Sequence, residues 1–122
     1  MGMITLATLC LAANIYFEAR GEPPDGQILV AEVTMNIAGK DGDICATVFE
    51  EGEFSWTNDE NLVIEEPEAF SKAFVLAQEI LEKGCIICTK ATNFHTRDTE
   101  PYWAKHMTFV GAYGNHLFYK EE

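Results

Sequence analysis

Apolar side chains crowd the first part of the chain at helical spacing. Over residues 5–17 they fall at Leu6, Leu9, Cys10, Ala13 and Phe17, and nearly every other position is apolar or small. Such a segment predicts a central helix buried on most sides. Gly21 stands where helices commonly end in a left-handed cap, and Pro23-Pro24 forces a turn. Asp25 suits the N-cap of a second helix over residues 26–37, with Ile28, Ala31, Met35 and Ile37 inward. A Gly- and Asp-rich loop (39–43) leads to one or two helical turns at 44–49. Phe54-Ser55-Trp56 then puts two aromatics in a loop, and residues 57–66 are polar and irregular. Pro67 opens a third long helix that ends near Gly84, its inward face made by Phe70, Ala73, Phe74, Ala77, Ile80 and Leu81.

The last third changes period. Residues 91–95, 108–110 and 117–119 are short, rich in Thr and aromatics, and separated by the turn residues Gly111, Gly114 and Asn115. They predict two or three antiparallel strands. The expected architecture is α+β: one domain over residues 1–122, mainly helical, with a small antiparallel sheet beside a cleft.

Composition narrows the function. A hydrophobic fraction of 48% supports a real core rather than a disordered chain. Twenty acidic residues against eight basic ones give a net charge of −12, which argues against nucleic acid as a partner. The acidic runs (Glu50, Glu51, Glu53; Asp59, Glu60; Glu65, Glu66, Glu68) read as solvated faces, and none has the ligand spacing of a calcium loop. The longest apolar stretch, residues 6–17, is too short to span a bilayer and lacks the basic start and cleavage site of a secretory signal. The expectation is a monomer made in the cytoplasm, without stable membrane association. Cys10 and Cys45 read as buried small hydrophobes; Cys85 and Cys88 read as structural thiols or one disulfide rather than half a zinc site with His95 and His106. No metal and no cofactor are expected.

Glu18 carries the candidate chemistry. It ends the most buried helix after Ile15-Tyr16-Phe17, where the helix dipole and burial both disfavour a negative charge. A carboxyl kept protonated near neutral pH can donate a proton to a glycosidic oxygen. The same position equally suits a helix-end glutamate paired with Arg20 or with water. Glu22 lies four residues on, but Gly21 breaks the helix between them, so Arg20 and Glu22 are expected to hold the loop as an ion pair. Ser55 has neither an adjacent base nor elbow glycines, which excludes it as a nucleophile.

Four blocks in order add a family resemblance. They are Ala13-Asn14-Ile15-Tyr16-Phe17-Glu18-Ala19-Arg20-Gly21-Glu22, with Gly26-Gln27, Ala31, Val33 and Asn36 behind it; Phe54-Ser55-Trp56; Ala91-Thr92-Asn93-Phe94-His95; and Pro101-Tyr102-Trp103-Ala104 leading to Gly114-Asn115-His116-Leu117-Phe118-Tyr119. Together they resemble the spore-cortex-lytic and cell wall hydrolase family of the SleB/CwlJ type, over residues 12–119. Ile37 and Asn93 depart from the usual pattern.

The resemblance implies a lysozyme-like domain that cuts peptidoglycan glycan strands between N-acetylmuramic acid and N-acetylglucosamine, with Glu18 as acid and then base. The implied reaction is that of a lytic transglycosylase, as in some members of the family. The match also implies that Phe54, Ser55, Trp56, Thr92, His95, Trp103, Asn115, His116 and Tyr119 contact substrate, with Arg20 and Glu22 in structural roles near the site. A phage endolysin, made in the cytoplasm and acting on the wall after release, fits the compact chain. A non-catalytic glycan-binding or virion-associated homologue is the alternative, with a metal-dependent hydrolase further behind. Because peptidoglycan is itself often anionic, a chain of −12 is expected to work faster as moderate salt or divalent cations are added. Turbidity loss of purified sacculi measured across a salt series checks this; a steady fall from the lowest salt upward contradicts it.

Overall fold

The computed structural model describes residues 5–50 and 52–121, so Glu51 of the first acidic run lies outside the described residues. Helix α1 (Leu6–Ala19) starts at Thr5, whose hydroxyl accepts the Thr8 N–H, and ends where Gly21 takes φ 86°. Helix α2 (Pro24–Ala38) begins two residues earlier than the sequence suggests. Pro23 is its N-cap and Pro24 its first residue, while Asp25 sits within the first turn, where a negative charge suits the dipole. Asp43 caps the short α3 (Ile44–Val48) by accepting the Ala46 N–H at 3.0 Å. A 3-10 turn over Ser55–Asn58 and an irregular polar stretch lead to α4 (Pro67–Lys83), which stops at Gly84 as expected.

Three strands follow: β1 (Asn93–Thr96), β2 (Thr108–Tyr113) and β3 (His116–Lys120). A second 3-10 turn, Tyr102–His106, lies between β1 and β2. The sheet is antiparallel with order β1-β3-β2. Gly111 is not a turn residue; it lies inside β2 beside a register shift after Phe109, and the reversal falls at Gly114-Asn115.

Helix α1 is the centre of the molecule. Its Leu11, Ile15 and Tyr16 meet Ile44 and Val48 of α3 and Ala73, Ala77 and Ile80 of α4. A second cluster packs Leu29, Val30 and Val33 of α2 against Ala91 and Phe118 of the sheet side. The inward face of α4 is as expected. That of α1 is not: Leu6 is 71% and Leu9 42% exposed, while Thr8, Leu11, Asn14 and Ile15 are buried. In a segment apolar all round, spacing alone leaves the helix face undetermined. In α2 Ala31 is buried and Met35 and Ile37 pack against the two clusters as expected, but Leu29, Val30 and Val33 are also buried and Ile28 is only partly covered.

The cysteines depart further from expectation. Cys10 and Cys45 are not free thiols but form a disulfide between α1 and α3, with Cα atoms 5.2 Å apart. Their separation of 35 residues gave no sign of which elements would meet. Cys85 and Cys88 form a second disulfide, the alternative anticipated for that pair. No helix among the described residues is long and apolar enough to cross a membrane. Closing a loop of this length removes enough unfolded-chain entropy to stabilise the fold by about 3–4 kcal/mol. The double substitution C10A/C45A should lower the unfolding free energy by roughly that amount in a urea titration; an unchanged midpoint contradicts it.

Candidate active site

The last turn of α1 carries Glu18 into a cleft of about 400 Å³. Glu53 comes from the loop after α3, Ser55 from the first 3-10 turn, Thr92 from just before β1, Asn93 from its first position, and Trp103 from the second 3-10 turn. No hydrogen bond or ion pair to the Glu18 carboxyl forms among the described residues. Burial without a compensating partner pushes its pKa from 4.5 up to about 7. The carboxyl is therefore substantially protonated at neutral pH, as a general acid must be.

One turn earlier, on the same face, Asn14 is fully buried. Its Nδ2 donates to Thr34 Oγ1 at 2.9 Å, and its Oδ1 accepts from Trp56 Nε1 at 2.7 Å. Trp56 stacks on Phe17 with ring centroids 4.7 Å apart. Its polar atom is thus committed inside the protein, and the ring braces the wall behind the cleft. Phe54, by contrast, lines the cleft itself, although it is only 4% exposed and faces Phe94 across 6.5 Å.

Arg20 and Glu22 do not pair with each other, a correction to the expected loop clamp. Arg20 reaches back one turn to donate to the Tyr16 hydroxyl and pairs with Glu66 at 3.4 Å. Glu22, beyond the break at Gly21, points the other way and accepts the Asn115 N–H at 2.6 Å. Gly114 has to be glycine there: it takes φ 59°, and a Cβ would come within 2.3 Å of Glu22 Oε1. The two residues hold opposite sides of the α1–α2 turn, Arg20 the start of α4 and Glu22 the β2–β3 turn.

The remaining candidates separate into those that face the cleft and those that support it. Ser55, Thr92 and Trp103 line it. His95 sits behind Trp103, 5.6 Å between ring centroids. Its Nδ1 lies 2.7 Å from the Thr96 carbonyl and so carries the proton, leaving Nε2 to accept from the Tyr119 hydroxyl at 3.0 Å. Tyr119 completes the trio by packing edge-on to Trp103. His116 is 3% exposed with its ring 5.0 Å from Phe94. Burial lowers its pKa, outweighing the upward pull of Glu22, with His95 adding to the downward push. Asn115 is exposed on the hairpin turn, outside the cleft lining.

Two cleft residues with polar side chains, Glu53 and Asn93, are not among the catalytic or substrate-contacting candidates that the sequence offers. Glu53 is part of an acidic run that reads as surface charge, and only the fold turns it toward Glu18's cleft. A larger cavity of about 990 Å³ lies against the opposite face of α1, between Arg20 and Lys72, and Glu18 is not among its walls.

Residues 21–119 match the family described as cell wall hydrolase. The match begins just past Glu18, so the role of that residue stands on its geometry and on the resemblance of the first block. Two solved structures resemble the fold. The catalytic domain of the germination-specific lytic transglycosylase SleB from Bacillus anthracis is 25% identical with a TM-score of 0.75, covering 98% of this chain and 99% of that one. The catalytic domain of Bacillus cereus SleB is 26% identical with a TM-score of 0.72, covering 98% and 94%. No curated protein matches the chain.

The raised pKa of Glu18 has a cost that can be measured. Its folded-state pKa lies above the unfolded value, so the folded protein binds more protons between about pH 4.5 and 7. Stability is unaffected below that window, falls as pH rises through it, and is lowered by a constant amount above it. At one pKa unit per 1.36 kcal/mol the full penalty is about 3 kcal/mol. Glu18→Gln should therefore stabilise the protein at pH 8 but not at pH 4. Equal melting shifts at both pH values contradict the desolvated acid.

Proposed function

The chain belongs to the cell wall hydrolase family, and on that premise we propose that it cleaves the glycan strands of peptidoglycan with Glu18 as acid and base. The observation that carries this reading is a desolvated carboxyl with a pKa near 7, held in a cleft of hydroxyl, amide and aromatic groups. Both similar solved structures are SleB catalytic domains, and one is described as a lytic transglycosylase.

The reaction needs one carboxyl group. Protonated Glu18 donates to the glycosidic oxygen as the C1–O4 bond between N-acetylmuramic acid and N-acetylglucosamine breaks. The resulting carboxylate takes the proton from the muramic 6-hydroxyl while O6 bonds to C1. The products are a free 4-hydroxyl and a 1,6-anhydro end, with Glu18 protonated again. On this reading Ser55, Thr92 and Asn93, which line the cleft, hydrogen-bond sugar hydroxyl or acetamido groups, and Trp103 stacks on a ring. His95, Tyr119 and His116 act behind them, as supports. Phe54 forms part of the cleft wall, and Trp56 packs behind it. On the same reading the enzyme acts as a monomer. Action at the wall, outside the cytoplasm, suits a protein with two disulfides.

Glu53 favours a second reading of the product. It lines the same cleft, is exposed to water, and has no partner among the described residues other than its backbone turn to Glu50. A carboxylate there can take a proton from water as the water oxygen bonds to C1, giving a reducing end instead.

Mass spectrometry of fragments released from sacculi tests both readings. Glu18→Gln should lose activity by about 10²–10⁴-fold while still binding glycan, and wild-type activity should decline as pH rises past about 7. Anhydro ends support the single-carboxyl route. Reducing ends that vanish in Glu53→Gln support the second. Unimpaired release by Glu18→Gln contradicts both.

A further inference from the structure

We propose that Glu32 is a positioning residue for the cleft wall at β1, and that it holds that wall only while Cys85 and Cys88 are joined as a disulfide. Glu32 lies in the middle of α2 and is 2% exposed. No salt bridge reaches it among the described residues. Instead, Oε2 accepts the N–H groups of Ile86 at 2.7 Å and Ile87 at 2.9 Å, and Oε1 accepts that of Thr89 at 2.9 Å. A buried carboxylate without a cation is tolerable only when such donors are held in place.

The Ile86 and Ile87 amides lie in one tight loop, and that of Thr89 directly follows it. The Cys85–Cys88 disulfide closes it with Cα atoms 5.0 Å apart, and Cys88 takes φ 64°, a left-handed conformation uncommon for a residue with a side chain. The loop passes its position directly to the cleft. Asn36, one turn beyond Glu32 on α2, donates to the carbonyls of Thr89 at 2.9 Å and Ala91 at 2.8 Å. Thr89 Oγ1 accepts the Ala91 N–H at 3.1 Å. Thr92 and Asn93 come next, facing the cavity that holds Glu18. Helix α2 therefore grips the lead-in to β1 from beneath.

The grip is open to reduction. Cys88 is exposed and Cys85 partly so, whereas Cys10 of the other disulfide is 8% exposed. A dithiol reductant gives two electrons and two protons to the Cys85–Cys88 bond, forming two thiols and its own disulfide. Once open, the loop regains its freedom and Glu32 loses its fixed donors. A reducing cytoplasm would then hold the enzyme with a loose cleft, and an oxidising exterior would set it. This consequence for activity rests on the proposed function; the positioning itself does not.

Hydrogen exchange and kinetics on the full chain test it together. In C85S/C88S, and in wild type reduced by dithiothreitol with Cys10–Cys45 verified intact by mass, the Thr89 and Thr92 amides should exchange about tenfold faster or more. KM for soluble wall fragments should rise about fivefold, with kcat and the alkaline limb near pH 7 little changed, because Glu18 stands on another element. Reoxidation should restore wild type, and Glu32→Gln should behave like the opened loop. If Glu32→Gln does not fold, the reversible reduction of wild type decides. Unchanged exchange, or a lowered melting temperature with KM unmoved, overturns the proposal. If the oxidised wild type releases no fragments at all, the proposed function fails while the exchange result still decides the positioning.

Discussion

The fold's dependence on one buried amide is its clearest constraint. Asn14 lies in the helix that every other helix packs against, and its side chain has no access to water. Its two bonds, to Thr34 of α2 and to the indole of Trp56, join three parts of the chain that are far apart in sequence. Thr34 is committed in turn, since its hydroxyl donates to the Val30 carbonyl at 3.1 Å. Each bond contributes only about 1 kcal/mol net, but an orphaned partner costs more, about 1–3 kcal/mol. The network thus tolerates one rotation of α1 and penalises others. That rotation sends Glu18, one turn on, into the cleft and Tyr16 and Arg20 toward α4.

The same arrangement explains why the acid is costly. A glutamate in the last turn of a buried helix loses hydration, and nothing among the described residues repays it with a hydrogen bond. A protein selected for stability alone would place an arginine beside it. Here Arg20 is drawn away by Tyr16 and Glu66, and Glu22 is drawn away by the Asn115 amide. With Arg20 and Glu22 both occupied elsewhere, burial is what raises the Glu18 pKa.

Much of this was legible in the sequence. Helical spacing, Pro67 and Gly84 located α4 and its inward face, and the change to Thr- and aromatic-rich runs located the sheet. The position of Glu18 after Tyr16-Phe17 was enough to suggest a raised pKa. Periodicity failed where it carries no information, in α1, whose apolar residues surround the helix and leave its buried face to tertiary contacts. It also failed for residues whose role is set across the fold. The Cys10–Cys45 bond, the Glu22–Asn115 contact and the amides around Glu32 each join residues more than 30 positions apart. Glu53 was hidden by its own composition, one acid in an acidic run. Conversely, Trp56 sits in a loop-like segment that suggests a sugar platform, yet its indole N–H is engaged by Asn14.

Burial holds Glu18 protonated near neutral pH, and everything proposed for the cleft depends on it. Carbon-13 NMR of the protein labelled at glutamate carboxyls, with Glu18→Gln to assign the resonance, reads this directly. Glu18 should titrate with a midpoint near pH 7, set apart from the other glutamates. A midpoint in the ordinary range, between about 4 and 5, would contradict it.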